Sequence, residues 1–411
     1  MTVNIADIRA AREVIKNVIY PTPILPDEKL SKEIGAAAFL KAESLQRSGS
    51  FKIRGAYNKI SSLTDEEKSR GVITASAGNH AQGVAVAARL HDIKATIVLP
   101  EAAPLTKVAA TKAQGAEVIL KGGSFDEAVA FSKELAKERK MIYVHAFEDE
   151  KIIAGQGTIG LEISESLPDV SAVVVPIGGG GVCSGIAIAI KTLIPSAKVF
   201  GVQAASVPSV RESIKAGHPV EVTAQPTIAD GIAVKRPGEL TLPIIREFVD
   251  DVVEVTEDEI AQAVYHCVQN NRLVVEGAGA AGLAALLARK LPVGTDDKVC
   301  AVLCGGNIDA NLLARILEQV LVWQGRYIFL RVLVLDRPGF LAGLLTHVAG
   351  AGANVIEVFH QRAMRLAPLG HVGIELLLEV RDERHGHEIF ESLKQAGYHV
   401  EREGNFEWRE G

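Results

Sequence analysis

The stretch AVVVPIGGGGVCSGIAIAIKTL, residues 172–193, decides the fold. Its first six residues are suited to a buried strand, four successive glycines follow, and an apolar helical pattern occupies residues 186–193. A continuous apolar strand that leads directly into a helix is typical of a parallel sheet covered on both faces. The stretch therefore predicts an open α/β architecture.

The same alternation of β-branched runs and Ala-rich helical patterns extends from about residue 35 to residue 305. Parallel sheets bind ligands at the carboxyl ends of their strands. The turns predicted at those ends, at residues 76–78, 178–181 and 305–306, all contain glycine, which indicates one shared ligand crevice. Four further runs are predicted to be strands: Ala95–Leu99, Glu117–Leu120, Lys198–Val202 and Lys298–Leu303.

A change of pattern near residues 324–326 predicts a second domain. Residues 326–403 read strand, helix, strand, strand, helix, strand, which is the order of a ferredoxin-like βαββαβ fold. Its second strand is predicted over residues 354–364 and its last over residues 398–404. We predict a first domain over residues 1–320, in which a small subdomain at about residues 45–150 is inserted in a larger one.

The composition of the 411 residues is that of an ordinary globular protein, with 48% hydrophobic and 23% charged residues. A net charge of -6 gives no reason to expect nucleic acid or an anionic membrane as a partner. The four cysteines include no C-x-x-C pair and no zinc-ligand spacing. Because no signal peptide and no apolar stretch of membrane length is visible, we expect a cytoplasmic, reduced protein.

Residues 50–55, SFKIRG, open an amphipathic helical pattern with Ser50 as the predicted N-cap. Taken alone, Lys52 reads as an exposed lysine in a first helical turn, because lysine is rarely buried. The positive end of a helix disfavours a cation, and the same field would lower the pKa of the amine and help it form an imine. Both interpretations of Lys52 stay open on these residues alone.

The four glycines let backbone N–H groups curl around an anion, and the helix that follows adds its positive end. A phosphate cradle is therefore the predicted function, with a flexible strand-to-helix turn as the alternative. The stretch does not match G-x-x-x-x-G-K-[ST], and no acidic residue stands out as a ribose partner. The sequence thus disfavours nucleotide binding.

Residues 76–83, SAGNHAQG, place a hydroxyl, an amide and backbone donors at a predicted helix N-terminus. Such a group suits a substrate carboxylate, although an ordinary N-cap has the same composition. Cys304 follows the strand pattern of residues 298–303 and, taken alone, reads as a buried structural thiol.

Six motifs in this order give the chain a family resemblance. It resembles the fold-type II pyridoxal-phosphate enzymes and, among them, the threonine dehydratases (threonine ammonia-lyases), from residue 1 to about residue 320. The motifs are SFKIRGA, SAGNHAQG, GQGTIGLEI at residues 155–163, GGGGVCSG, IADGIAV at residues 228–234, and CGGN at residues 304–307.

By that resemblance, Lys52 would carry the cofactor, pyridoxal 5'-phosphate, as a Schiff base. The other residues that the resemblance assigns to the cofactor are Phe51 behind its ring, Asn79 at its ring hydroxyl, Gly178, Gly179, Gly180, Gly181 and Val182 at its phosphate, and Cys304 at its pyridine nitrogen. Those assigned to the substrate carboxylate are Ser76, Ala77, Asn79 and His80. His80 has helix packing as its alternative role.

The resemblance implies dehydration and deamination of L-threonine, and secondarily of L-serine, to a 2-oxo acid and ammonia. Lys52 would remove the Cα proton as general base. A neutral thiol at the pyridine nitrogen would suit β-elimination. The alternatives are a serine-specific or 3-hydroxyaspartate dehydratase, another lyase such as a β-replacement enzyme, and an inactive amino-acid sensor. Isoleucine biosynthesis is the associated pathway, although a catabolic role is not distinguished.

Two residues depart from the patterns of relatives, and a third has an open role. Serine racemases have a second serine where this chain has Ala77, so racemisation is not expected. Relatives with a divalent-cation site usually have Glu at the position of Gln203, and hard cations favour carboxylates, so we expect no metal. Glu276 would lie near the cofactor ring or merely support its turn.

The C-terminal region resembles a single ACT regulatory domain. The resemblance places Gly339, in the turn DRPG, and Asn354, at the start of the second strand, at an amino-acid effector site. ACT domains commonly pair, so a homodimer or homotetramer is expected. A purely structural or dimerising domain is the alternative, and neither the effector nor its sign is predicted.

Overall fold

Three sheets organise the chain in the computed structural model, which describes residues 3–361 and 368–402. The chain divides into two compact units, Met1–Ala310 and Asn311–Gly411. Residues 362–364 of the predicted second tail strand and residues 403–404 of the last one, including the predicted domain end at 403, lie outside the described residues.

The strands, numbered in chain order, are β1 Ile24–Pro26, β2 Ala37–Lys41, β3 Val72–Ala75, β4 Ala95–Leu99, β5 Glu117–Leu120, β6 Ile142–Tyr143, β7 Ala172–Pro176, β8 Lys198–Ala204, β9 Asp251–Val255, β10 Lys298–Val302, β11 Tyr327–Leu335, β12 Asn354–Gln361, β13 His371–Glu379 and β14 His399–Arg402.

The helices are α1 Ile5–Ile15, α2 Glu28–Ile34, α3 Lys52–Ser61, α4 Asp65–Arg70, α5 Asn79–Leu90, α6 Leu105–Ala113, α7 Phe125–Glu138, α8 Glu150–Ser166, α9 Gly181–Leu193, α10 Ser209–Ala216, α11 Thr241–Phe248, α12 Glu257–His266, α13 Gly277–Leu287, α14 Ala310–Trp323, α15 Phe340–Gly350 and α16 Glu383–Gln395. Short helical turns lie at Glu43–Leu45, Asp230–Ile232 and Cys267–Asn271.

The first unit contains two sheets of mainly parallel strands. The larger has the order β1-β2-β10-β7-β8-β9, in which only β1 is antiparallel to its neighbour. The smaller, β5-β4-β3-β6, is parallel throughout. Strands β3, β4 and β7 are buried along their whole length, as continuous apolar runs require. The predicted α/β class is therefore confirmed.

The second unit contains an antiparallel sheet of order β12-β13-β11-β14. Its strands and the helices α15 and α16 follow the βαββαβ order that the sequence predicts. Its apolar core includes Leu330, Leu344, Ile374 and Ile389. In the parts of the chain that the structure describes, no helix is both long and apolar enough to span a bilayer.

Helix α3, which begins at Lys52, lies unusually close to α8. A Cβ atom on Gly155 would stand 2.6 Å from the Cα of Gly55, and one on Gly55 would stand 2.8 Å from the carbonyl oxygen of Ile152. Only glycines allow the two backbones to approach so closely. The motifs SFKIRGA and GQGTIGLEI therefore meet, and their contact sets the position of Lys52.

A buried ion cluster reinforces this contact. Arg54 is fully buried and forms a fork on Glu43, with Nε 2.8 Å from Oε2 and Nη2 2.8 Å from Oε1. Its Nη1 donates to Glu162 at 2.5 Å, and Lys41 binds the other oxygen of Glu162 at 2.5 Å. Although burial opposes ionisation, the charge of Arg54 holds the pKa of Glu43 below its ordinary value.

The predicted role of Ser50 as the N-cap of this helix is wrong. Helix α3 begins at Lys52, its N-cap is Phe51, and no side chain caps it. Ser50 instead pairs with Gly305 in an isolated antiparallel bridge, and the N–H of Phe51 donates to the carbonyl of Cys304 at 3.2 Å. A tertiary contact has displaced the local capping preference.

We predict that Arg54→Met lowers the free energy of unfolding by about 3–5 kcal/mol, because Glu43 would remain buried without its main partner. Arg12→Met is the matched control, since Arg12 pairs with Glu165 where the two side chains are 37% and 60% exposed, and should cost less than about 1 kcal/mol. Urea unfolding followed by circular dichroism measures both. Equal losses in the two variants would contradict the prediction.

Candidate active site

The carboxyl ends of β3, β7 and β10 lead into the three glycine-bearing turns, and side chains from the turns after β3 and β10 meet. Asn79 after β3 contacts Asn307 after β10, with Nδ2 of Asn307 2.6 Å from Oδ1 of Asn79. The bridge between Ser50 and Gly305 brings Lys52, two residues after Ser50, towards the turn after β10. The predicted crevice therefore brings together residues that lie far apart in the sequence.

Lys52, considered alone, reads as an exposed lysine, but in the structure it is partly buried. Its Nζ lies 3.3 Å from the carbonyl oxygen of Ala146 and 5.1 Å from the centre of the Phe51 ring. Burial lowers the pKa of the amine to about 8, against the opposing effect of the Glu276 carboxylate. An amine in this range supplies an unprotonated nucleophile near neutral pH.

The glycine loop is closely packed on its protein side. A Cβ atom on Gly179 would stand 2.2 Å from the Phe147 ring, and one on Gly180 would stand 2.7 Å from Cβ of Thr241. Gly180 also has a φ of 97°, a conformation that other residues rarely adopt. The hydroxyl of Thr241 donates to the carbonyl of Gly179 at 2.6 Å and fixes the loop.

Helix α9 begins at Gly181, five residues before the pattern predicted at residue 186. The first-turn N–H groups of Gly181, Val182 and Cys183 therefore have no acceptor inside the helix. Such N–H groups, together with the positive end of the helix, attract an anion. The loop and the helix start provide the donors that a phosphate group needs.

Asn79 occupies the first position of α5, whose N-cap is Gly78. Its amide nitrogen donates to Oε1 of Glu276 at 2.5 Å. Gly305 packs directly on this pair, because a Cβ atom there would stand 2.4 Å from Oε1 of Glu276. Burial, aided by the charge of Asp230, raises the pKa of Glu276 to about 7, although Asn79 opposes the shift.

His80 is buried, and its Nε2 lies 2.9 Å from the carbonyl oxygen of Val144. Since a carbonyl can only accept, Nε2 carries the proton. Burial lowers the pKa of the imidazole to about 3, so the ring is neutral. The side chain is therefore committed to packing, while the backbone N–H in the first turn of α5 remains suitable for a carboxylate.

Ser76 follows β3, and its hydroxyl accepts from the N–H of Gly78 at 3.2 Å. Ala77 beside it is partly buried and brings no polar group. Cys304 is buried in the same core cluster as Phe51 and Val182, and burial raises the pKa of its thiol well above the ordinary value. Cys304 is therefore a neutral, weak partner for any ligand atom beside it.

The sequence did not reveal several residues that shape the site. Phe147 and Thr241 hold the glycine loop. Neither lies in one of the six motifs, and only their short distances to the loop in the folded structure identify them. Asn307 ends the motif CGGN but was given no role in the site. Its polar side chain directly after two glycines was the signal that could have identified it. Asp230, in the motif IADGIAV, pairs with Lys107 at 2.7 Å.

Gln203 lies in β8, and its side chain reaches the start of α10, where Oε1 accepts from the N–H groups of Val210 and Arg211 at 3.1 Å and 3.0 Å. Among the described residues, no group of three His, Cys, Asp or Glu side chains is arranged to hold a metal ion. Gly339 and Asn354 belong to the second unit. Gly339 precedes α15 with a φ of 91°, and Asn354 is exposed at the start of β12.

These residues fit pyridoxal phosphate. Lys52 offers a partly buried amine of lowered pKa, and the loop around Gly180, which a Cβ atom would obstruct, offers N–H donors for a phosphate. Asn79 offers an amide, and Cys304 a neutral thiol. This donor set would hold the aldehyde carbon, phosphate, ring hydroxyl and ring nitrogen of the cofactor, respectively.

Comparison with known proteins identifies the family of this chain. The family model described as "pyridoxal-phosphate dependent enzyme" matches residues 15–305. The chain is 49% identical over 398 residues to an L-threonine ammonia-lyase of Thermotoga maritima, an alignment that covers 97% of this chain and 99% of that protein.

Solved structures agree with the sequence comparison. A processed threonine deaminase isoform 2 from Solanum lycopersicum superposes with a TM-score of 0.73 and 38% identity, over 76% of this chain and 91% of that one. A maize serine racemase superposes with a TM-score of 0.74 and 35% identity, over 79% and 99% of the two chains.

We predict that Gly180→Ala weakens the binding of pyridoxal phosphate by about 5- to 150-fold, because about 1–3 kcal/mol of backbone strain would fall on the loop. Gly217→Ala is the matched control. Gly217 also has a positive φ, of 80°, but a Cβ atom there meets none of the described atoms within 4 Å. Titration of each apoprotein with the cofactor measures both dissociation constants, and unchanged affinity in Gly180→Ala would contradict the prediction.

Proposed function

The chain belongs to the pyridoxal-phosphate-dependent enzyme family, and from that premise we propose that it converts L-threonine to 2-oxobutanoate and ammonia. L-serine would be a secondary substrate. The observation that carries the proposal is the Lys52 amine, whose burial lowers its pKa to about 8 within a site that fits the cofactor. The similarity to an L-threonine ammonia-lyase along 97% of the chain supports the choice of substrate.

When bound, pyridoxal phosphate withdraws electrons from the bond between the substrate Cα and its hydrogen. Nζ of Lys52 would accept that proton as general base, and its lowered pKa suits the task near neutral pH. The Ala146 carbonyl, 3.3 Å from Nζ, orients the amine. The proton taken from Cα balances the proton that leaves with the β-hydroxyl as water, and hydrolysis of the released unsaturated product then gives 2-oxobutanoate and ammonia.

The substrate carboxylate would be held at the start of α5. The donors proposed there are the hydroxyl of Ser76 and the backbone N–H groups of Ala77, Asn79 and His80. Gly178, Gly179, Gly180, Gly181 and Val182 would hold the cofactor phosphate, and Phe51 would lie behind its ring. The neutral Cys304 thiol would face the ring nitrogen without protonating it, which favours elimination.

Serine racemisation is a less suitable alternative despite the resemblance to the maize serine racemase. Racemisation needs an acid on the face of Cα opposite Lys52. Ala77 offers no hydroxyl, and the His80 ring donates instead to the Val144 carbonyl. Elimination needs no second acid, so the described groups suit it better.

The second unit is part of the proposal as a single ACT regulatory domain for a small amino acid. The βαββαβ order and the antiparallel sheet support this assignment. Gly339 has a positive φ, and a Cβ atom there would meet none of the described atoms within 4 Å, so its backbone is open to an effector. Asn354, the other proposed effector residue, begins β12. Effector control and a homodimer or homotetramer would follow from pairing of such domains.

The domain division proposed is a catalytic part over residues 1–320, with its small subdomain at about residues 45–150, and a regulatory part over residues 326–403. A cytoplasmic location is consistent with the four free, buried cysteines. A product such as 2-oxobutanoate and an amino-acid effector would place the enzyme in isoleucine biosynthesis.

Steady-state release of 2-oxo acid from L-threonine, L-serine and 3-hydroxyaspartate tests the proposal. We predict the highest kcat/KM for L-threonine, no release by Lys52→Ala, and a change in rate when a branched-chain amino acid is added. A preference of about tenfold or more for another substrate would overturn the assignment of threonine. An unchanged rate with every branched-chain amino acid would remove the proposed control by them.

A further inference from the structure

We propose that Glu276 is a positioning residue that fixes the direction in which Asn79 presents its amide to the cofactor and that brings a buried carboxyl group to the same part of the site. The inference rests on the proposed function only through the binding of pyridoxal phosphate. The identity of the amino-acid substrate does not enter it.

A chain of hydrogen bonds sets the orientation of Asn79. The carbonyl of Ser48 can only accept, so the atom of Asn307 that lies 3.0 Å from it is the amide nitrogen. The same nitrogen lies 2.6 Å from Asn79, which must therefore present its oxygen to Asn307. The amide nitrogen of Asn79 consequently points to Oε1 of Glu276, 2.5 Å away.

The orientation determines what Asn79 can offer a ligand. An amide nitrogen has two N–H bonds, and Glu276 occupies one of them. The other is a donor for the ring oxygen of the cofactor. Without an acceptor at residue 276, the Asn79 amide would lose the partner that holds its nitrogen in this direction.

Glu276 is surrounded by both negatively and positively charged groups, whose effects on the ionisation of its carboxyl oppose each other. The carboxyl is buried and is packed on by Gly305. The groups that face it are Asp230 from the short turn Asp230–Ile232, Lys107 from α6, Lys52 from α3 and Cys304 after β10. Helix α13, which follows Glu276, has no titratable side chain between Gly277 and Leu287.

Burial and then Asp230 raise the pKa of Glu276 to about 7, while Asn79, Lys107 and Lys52 lower it. Two other groups of the site, His80 and Cys304, do not change charge near neutral pH. The pKa of His80 is lowered to about 3, and that of Cys304 is raised well above its ordinary value. Of Glu276, His80 and Cys304, Glu276 is therefore the group whose pKa lies near neutrality.

Protonation of Glu276 removes its charge but preserves the hydrogen bond, because the second oxygen can carry the proton while Oε1 still accepts from Asn79. Glu276→Gln reproduces the protonated form, since a glutamine side chain also presents an oxygen acceptor. Glu276→Leu has a similar size but no acceptor. The two variants therefore separate the charge of Glu276 from its hold on Asn79.

The test is a pH titration of the visible absorption of the cofactor-loaded protein without substrate, between about pH 5 and about pH 9. We expect the wild type to show a transition near neutral pH, because burial and Asp230 raise the pKa of Glu276 into that range. Glu276→Gln should retain cofactor affinity and lose the transition. Glu276→Leu should weaken cofactor affinity by about tenfold or more, because Asn79 is no longer held.

Two further variants form a matched pair, because each removes one of the charges that face Glu276. Asp230→Asn removes a negative charge and should move the midpoint to lower pH, whereas Lys107→Gln removes a positive charge and should move it to higher pH. These shifts decide the matter even if Glu276→Gln fails to load. A transition that survives in Glu276→Gln, or shifts of the same direction in the pair, would overturn the inference.

The outcome is independent of the proposed substrate. Absorption shifts as predicted in a protein without activity on L-threonine would refute the proposed function and leave the role of Glu276 standing. Activity on L-threonine with a pH-independent spectrum and an unchanged kcat/KM pH profile in Glu276→Gln would do the reverse.

Discussion

Partial burial of one amine, that of Lys52, is the constraint on which the site depends. Desolvation lowers its pKa to about 8, and this environment exists only because α3 is held firmly against α8. The close approach of Gly55 to Gly155 sets the distance between the two helices. The ion pairs of Arg54 with Glu43 and Glu162 lock their orientation, so the structural cluster and the reactive amine are parts of one arrangement.

Burial also removes charge from most of the groups that surround Lys52. His80 and His145 are neutral because desolvation lowers their pKa values to about 3 and about 4, and Cys304 keeps its proton because desolvation raises its pKa. Backbone N–H groups at the starts of α5 and α9 then supply the attraction for anions without a charged side chain. Glu276 is the exception, with a pKa near neutrality.

The sequence predicted those features that follow from local patterns. Continuous apolar runs located β4 and β5 with the bounds the structure has, whereas the helical pattern from residue 186 placed the start of α9 five residues too late. Ser50 failed as an N-cap because a bridge to Gly305, far away in the chain, outweighs capping. Phe147 and Thr241 could not be predicted, since only tertiary packing brings them to the loop.

The central claim is that Lys52 binds the cofactor covalently. The most direct measurement is borohydride reduction of the cofactor-loaded protein, followed by proteolysis and mass spectrometry of the peptides. The account predicts that the phosphopyridoxyl group is found on the peptide that contains Lys52, and that Lys52→Ala takes up no label. A label on another lysine, or none on the loaded wild-type protein, would contradict it.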